Sequence, residues 1–154
     1  MQIMSLAIAL HVLAAVLWVG GMFFAHQVLR PAVGPLDPPV RLPLWGRVFP
    51  RFFAWVWVSI IVLLSTGYWM VFGTHGGFAR LPIPYHVMNG IGWLMMGIFL
   101  YLWFVPYARF RRALGTGDLP SAGKALNRIR QIVGINLILG LINVAIGAGG
   151  RYLG

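Results

Sequence analysis

Residues 3–29 read IMSLAIALHVLAAVLWVGGMFFAHQVL, a run without a single charged side chain. The hydrocarbon core of a bilayer is about 30 Å thick and needs about 20 apolar residues in one helix, so this run predicts a membrane-spanning helix. No basic segment precedes the run, and it is too long for a cleavable signal peptide. We therefore expect it to be a retained helix.

Three further apolar runs of similar length follow it, at about residues 52–73, 84–105 and 131–148. The chain is 60% hydrophobic and 9% charged, whereas a soluble domain has about a quarter charged residues. The connections are short and leave no room for a soluble domain. The sequence predicts an all-α, polytopic membrane protein, with residues 1–154 forming one bundle of four transmembrane helices.

The composition excludes several kinds of chemistry. Asp37 and Asp118 are the only acidic residues, so most carboxylate chemistry is excluded. Cysteine is absent, which excludes disulfides, thiolate metal sites, iron–sulfur clusters and haem attached through cysteines. Histidine, methionine, tyrosine and tryptophan remain as the residues that could carry a function.

Basic residues cluster at one end of the predicted bundle. The first and third connections hold almost all of them, and the second holds only Arg80. The positive-inside rule then places both termini outside, on the periplasmic side of a bacterial inner membrane, with the lipid bilayer as the main partner. The positive charge is divided among helix ends and forms no continuous patch, so we expect no nucleic-acid partner.

The first and third helices share a pattern. Residues 11–18 read HVLAAVLW and residues 86–93 read HVMNGIGW, at an offset of 75 that also relates Pro31 to Pro106. This similarity predicts a tandem repeat of two-helix units, at about 1–79 and 80–154. Parallel repeats of this kind are related by a pseudo-twofold axis along the membrane normal.

The repeat predicts that His11 and His86 lie at equal depth in the outer half of the membrane. Two imidazoles facing each other across such an axis suit one haem b with two histidine ligands. Two small residues, Ala15 and Gly90, are expected to leave space for the haem. Two aromatic residues, Trp18 and Trp93, are expected to line its inner edge. Arginines near the outer surface, Arg80 and Arg151, are expected to pair with its propionates.

These residues favour a b-type cytochrome that performs electron transfer or haem-linked oxidoreduction at the outer face, with a quinone or a periplasmic redox partner. Enzymatic activity is left open. The other two histidines have weaker signals. We expect His26 to lie at the cytoplasmic interface, and His75 to lie in an exposed turn.

The first helix resembles a known family over Leu10–Gly21, LHVLAAVLWVGG. This stretch is similar to the first helix of the CopD copper-resistance family and of the HemJ-type protoporphyrinogen oxidases, and the basic segment Tyr107–Arg112 resembles their exit from helix three. The HemJ resemblance implies a haem b ligand at His11. It gives no support for protoporphyrinogen oxidation, because Asn89 stands where those proteins have a lysine and the chain lacks their glutamate.

The CopD resemblance implies an alternative function, copper transport or copper binding. Thioether and imidazole groups bind Cu(I), and His75, His86 and Met88 are the ligands that this alternative predicts. A third hypothesis is a scaffold subunit whose histidines only form hydrogen bonds between helices. Glycines in the fourth helix, Gly134, Gly140 and Gly147, permit close helix contact and leave a homo-oligomer open.

Overall fold

The computed structural model describes residues 2–150, apart from the side chain of residue 75. It contains four long helices: α1 (Gln2–Ala32), α2 (Pro38–His75), α3 (Ile83–Gly115) and α4 (Leu119–Gly149). A short 3-10 turn, Phe78–Arg80, connects α2 to α3. All four helices are long and apolar enough to cross a membrane, which confirms the predicted fold class.

The helices extend well beyond the apolar runs at one end of the bundle. The run at 52–73 belongs to a helix that begins at Pro38, where proline is tolerated because the first turn needs no amide donor. Leu42 and Trp45 are buried in this extension. Most of the basic residues that we expected in loops therefore lie on helices. We call this end, formed by the α1–α2 and α3–α4 connections, the basic end.

Helices α1 and α3 each contain a π-helical segment. The segments are Phe24–Leu29 in α1 and Trp103–Tyr107 in α3, close to Pro31 and to Pro106. Such wider turns relieve the loss of a backbone hydrogen bond at proline. Another pair of positions that the repeat makes equivalent differs in burial: Trp18 is 3% exposed, whereas Trp93 is 51% exposed. The tandem repeat stays a prediction.

Two hairpins form the bundle. Helix α1 packs along α2, α3 packs along α4, and α4 also contacts both α1 and α2. Between α2 and α3 an aromatic zone fills the half of the bundle nearer the basic end, with edge-to-face contacts among Phe49, Phe53, Trp57, Phe99, Trp103 and Tyr107.

Candidate functional site in the α1–α2 interface

His11 lies in the interface between α1 and α2. Its Nδ1 atom is 2.9 Å from the Thr66 hydroxyl oxygen, and the same hydroxyl donates to the Val62 carbonyl at 2.6 Å. Since the hydroxyl has one proton and gives it to Val62, its oxygen accepts from His11. The neutral imidazole therefore carries its proton on Nδ1 and keeps a lone pair on Nε2.

A glycine on α2 makes room for the imidazole. A Cβ atom at Gly67 would lie 3.2 Å from Cε1 of His11, which is closer than side chains normally approach. The ring therefore packs directly against the α2 backbone. Thr66 and Gly67 together fix both the orientation and the depth of His11. The sequence signal for them is weak, since Thr66 is an uncharged polar residue within an apolar run.

Two methionines share this interface nearer the end of the bundle opposite the basic end. Thr74 on α2 donates a hydrogen bond to the sulfur of Met4 on α1 at 3.4 Å, and Gly73 packs on the same side chain. Met70 lies four residues from both Thr66 and Thr74, so it shares their face of α2. Soft donors from both helices thus line the interface on one side of His11.

The residues predicted to surround a haem have separate neighbours. His86 is exposed on α3 with its ring beside Phe78, whereas His11 contacts α2. Trp93 donates to the Tyr68 hydroxyl at 2.8 Å and lies on the surface. These positions give the haem b prediction no support. His11 and His86 as joint metal ligands stay a prediction.

The supporting haem residues are also dispersed. Trp18 is buried edge-on against Phe99, which belongs to the aromatic zone. Gly90 is exposed with open space where a side chain would be, and Ala15 is half-buried. Arg80 is exposed on the short turn before α3. Arg151 and the side chain of His75 lie outside the described part of the structure.

The copper ligands predicted on α3 do not lie next to each other either. Met88 points its sulfur at α4, where a Cβ at Gly147 would be 3.0 Å away, while His86 is on the exposed surface. The two residues are two positions apart on one helix and do not face each other. Among the side chains that the structure describes, which leave out His75, no group of three or more histidine, cysteine or acidic residues could hold a metal ion.

The glycines of α4 pack against other helices of the same chain. Gly134 packs on His26, Gly140 packs on Val19 and Met95, and Gly147 packs on Met88. Close approach of α1 and α3 to α4 therefore explains these three glycines. They give no support for contact with a second copy of the chain, and the homo-oligomer stays untested.

Comparison with known proteins identifies the family. The family model described as CopD, copper resistance protein D, matches residues 46–149. The match covers most of α2 and all of α3 and α4, including the basic segment Tyr107–Arg112, but not the first-helix stretch around His11. No curated protein and no solved structure gives a significant match. Since the match spans more than half of its length, the chain belongs to the copper resistance protein D family.

Proposed function

We propose that this protein binds Cu(I) in the α1–α2 interface and passes it along the membrane-embedded part of the bundle. The observation that carries the proposal is His11, whose Nε2 lone pair is left available by the hydrogen bond to Thr66. Membership of the CopD family is the reason for proposing copper as the metal. Copper is the cargo in this proposal, and the bound ion is a transient occupant.

The donors suit the monovalent ion. Thioether sulfur and imidazole nitrogen are soft or borderline ligands that favour Cu(I) over harder cations. Met4, Met70 and His11 are spaced by about one helical turn each along the interface, as judged from their partners on α2. Ala7, three residues after Met4 on α1, is small and buried. The order of donors is therefore thioether, thioether, imidazole.

Orientation follows from the charge distribution. The positive-inside rule puts the basic end in the cytoplasm, so Met4 lies near the periplasmic surface and His11 lies deeper. A copper ion arriving from outside would meet the two sulfur atoms first. Neutral ligands at these positions avoid the cost of burying an unpaired charged side chain in the membrane.

Copper binding by purified protein tests the proposal. Protein in detergent is mixed with Cu(I) under anaerobic, reducing conditions, and its affinity is measured by competition with a coloured Cu(I) chelator. We expect His11→Ala to abolish tight binding, and Met70→Leu to weaken it with little change in side-chain volume. Met4→Leu is expected to weaken binding in the same way.

Matched substitutions on α3 serve as controls. His86→Ala and Met88→Leu are expected to leave Cu(I) affinity unchanged, because these residues face other neighbours. Loss of copper in these two variants, with retention in His11→Ala, would instead place the site on α3. A Soret band in the purified wild-type protein that disappears in His11→Ala would overturn the copper proposal and favour a haem b protein.

A further inference from the structure

A second cluster of polar side chains lies at the basic end, far from His11. His26 of α1, Arg30 of α1 and Arg130 of α4 line one small niche, together with apolar residues of α2. Arg130 is within electrostatic range of both Arg30 and Arg41. We call His26, Arg30, Arg41 and Arg130 the cationic cluster. Three guanidinium groups in one place repel each other unless an anion lies among them.

The cluster offers donors that have no partner. The Nη1 group of Arg30 lies 3.3 Å from Nε2 of His26, and since arginine only donates, Nε2 accepts and the proton of His26 is on Nδ1. That Nδ1 atom is buried without a hydrogen-bond partner, and so are the Nε atoms of Arg41 and Arg130. Buried donors are rarely left unsatisfied, because removing a donor from water without giving it an acceptor is unfavourable. Three members of the cationic cluster thus each keep one donor without an acceptor.

The chain itself does not provide the acceptor. Its only acidic residues are Asp37 and Asp118. Asp118 is exposed and accepts from the Ser121 amide, and Asp37 is exposed at the start of α2. No salt bridge joins either carboxylate to the cationic cluster among residues 2–150. The anion must therefore come from outside the chain, and phosphate oxygens match several converging arginine donors.

An apolar groove leads away from the cluster. It has a volume of about 600 Å³, lies between α1 and α4, and shares His26 with the niche. Its walls are mainly apolar, with Phe23, Ile135 and Leu141 facing it, and Arg128 and Gln131 lie at its basic end. From Arg128 to Leu141 the helix rises by about 20 Å, which exceeds the roughly 15 Å of one hydrocarbon leaflet.

We propose that the cationic cluster and this groove form a specific site for one anionic phospholipid. The phosphate lies against the guanidinium groups of the cationic cluster, and one acyl chain lies along the groove between α1 and α4. The occupant has a net negative charge, since three guanidinium groups and no carboxylate surround the site. Basic pockets between transmembrane helices bind lipid headgroups on these principles.

Thermal unfolding of delipidated protein in neutral detergent tests the proposal. We expect phosphatidylglycerol to raise the Tm by about 3 °C or more, because a ligand bound only by the folded state stabilises it. Phosphatidylcholine with the same acyl chains is expected to give a much smaller shift. Equal shifts from the two lipids would overturn the proposal. An equal shift from inorganic phosphate would identify a free-anion site and would also overturn it.

Variants of Arg130 separate lipid binding from folding. Arg130→Gln is expected to unfold at the same or a higher temperature than wild type in neutral detergent, because it relieves repulsion, and to lose most of the phosphatidylglycerol shift. Arg130→Lys keeps the charge but not Nε, and is expected to keep part of the shift. Arg109→Gln, an exposed arginine on α3, is the matched control and is expected to keep all of it. Equal losses in Arg109→Gln and Arg130→Gln would contradict a specific site.

Discussion

At the scale of single residues, the chemistry of His11 depends on the Thr66 hydroxyl. Its donation to Val62 makes Thr66 an acceptor toward the imidazole and selects the tautomer whose Nε2 can bind a metal. Hydrogen bonds to the second ring nitrogen orient histidine ligands in many metal sites. Under the proposed function, Thr66 is thus a positioning residue that would not itself contact copper.

Substitution of Thr66 tests this assignment. Thr66→Val preserves the shape of the side chain but removes the acceptor, so we expect Cu(I) affinity to fall by about tenfold, within the range seen for partners of metal ligands. The chelator competition assay measures the change. Ser65→Ala is the control, because the neighbouring Ser65 hydroxyl is exposed and also donates to a carbonyl four residues earlier. Equal losses in both variants would contradict the role of Thr66.

The sequence identifies some of these residues and not others. His11 is conspicuous because an ionisable residue in an apolar run is costly and usually has a function. Thr66 and Gly67 are not, because their role depends on which helix packs against α1 and in which register. The internal repeat suggested that His11 faces α3, whereas the structure shows its contact with α2. Helix pairing is a tertiary property that apolar runs of similar composition do not encode.

At the scale of helices, the start of α4 is set by a capping residue. Asp118 precedes α4 and accepts from the Ser121 amide at 3.0 Å, and hydrogen bonds from Ser121 lower the pKa of this carboxyl below its ordinary value. The ionised carboxylate therefore stabilises the folded state at pH values above the ordinary carboxyl pKa. This contribution is lost as the pH falls through the lowered pKa.

The pH dependence of unfolding tests the cap. We expect the Tm of the wild type to decrease on acidification below about pH 4, as Asp118 becomes protonated. Asp118→Asn keeps an acceptor at the N-cap without a titrating proton, so this part of the pH dependence should be absent from the variant, and the Tm advantage of the wild type should shrink as the pH falls. A difference in Tm that does not change with pH would contradict the assignment.

Close packing of α4 against α1 and α3 requires Gly140. A Cβ there would lie 2.9 Å from Val19 and 3.1 Å from Met95. We therefore expect Gly140→Leu to destabilise the protein by about 1–3 kcal/mol through overpacking. Thermal unfolding in detergent measures the loss. Gly97→Leu is the matched control on an exposed helix surface with no neighbour within 4 Å, and an equal loss there would contradict the explanation.

The lengths of the helices show what apolar runs can and cannot predict. The four runs locate the parts of each helix that lipid surrounds, and all four are present. They miss the extensions at the basic end, where buried residues such as Trp45 and Phe110 alternate with arginines. Such amphipathic segments are stabilised by packing on one face, so a criterion based on uninterrupted hydrophobicity does not detect them.

At the scale of the whole molecule, the orientation in the membrane can be tested with single cysteines, because the natural chain has none. Gly115→Cys lies at the basic end, and Ala79→Cys lies on the turn between α2 and α3; both positions are exposed. In intact cells we expect a membrane-impermeant thiol reagent to label only Ala79→Cys. Both variants should react after the membrane is permeabilised. Labelling of Gly115→Cys alone in intact cells would reverse the assigned orientation.

The aromatic zone bears on how quickly any cargo could cross. The rings of Phe53, Phe99 and Trp57 pack edge-to-face and fill the space between α2 and α3. An ion that crossed this zone would require the aromatic side chains to change rotamer each time. The transport rate would then resemble that of a carrier and not that of a pore. Under the proposed function, a carrier of this kind would move copper without opening a continuous path for other ions.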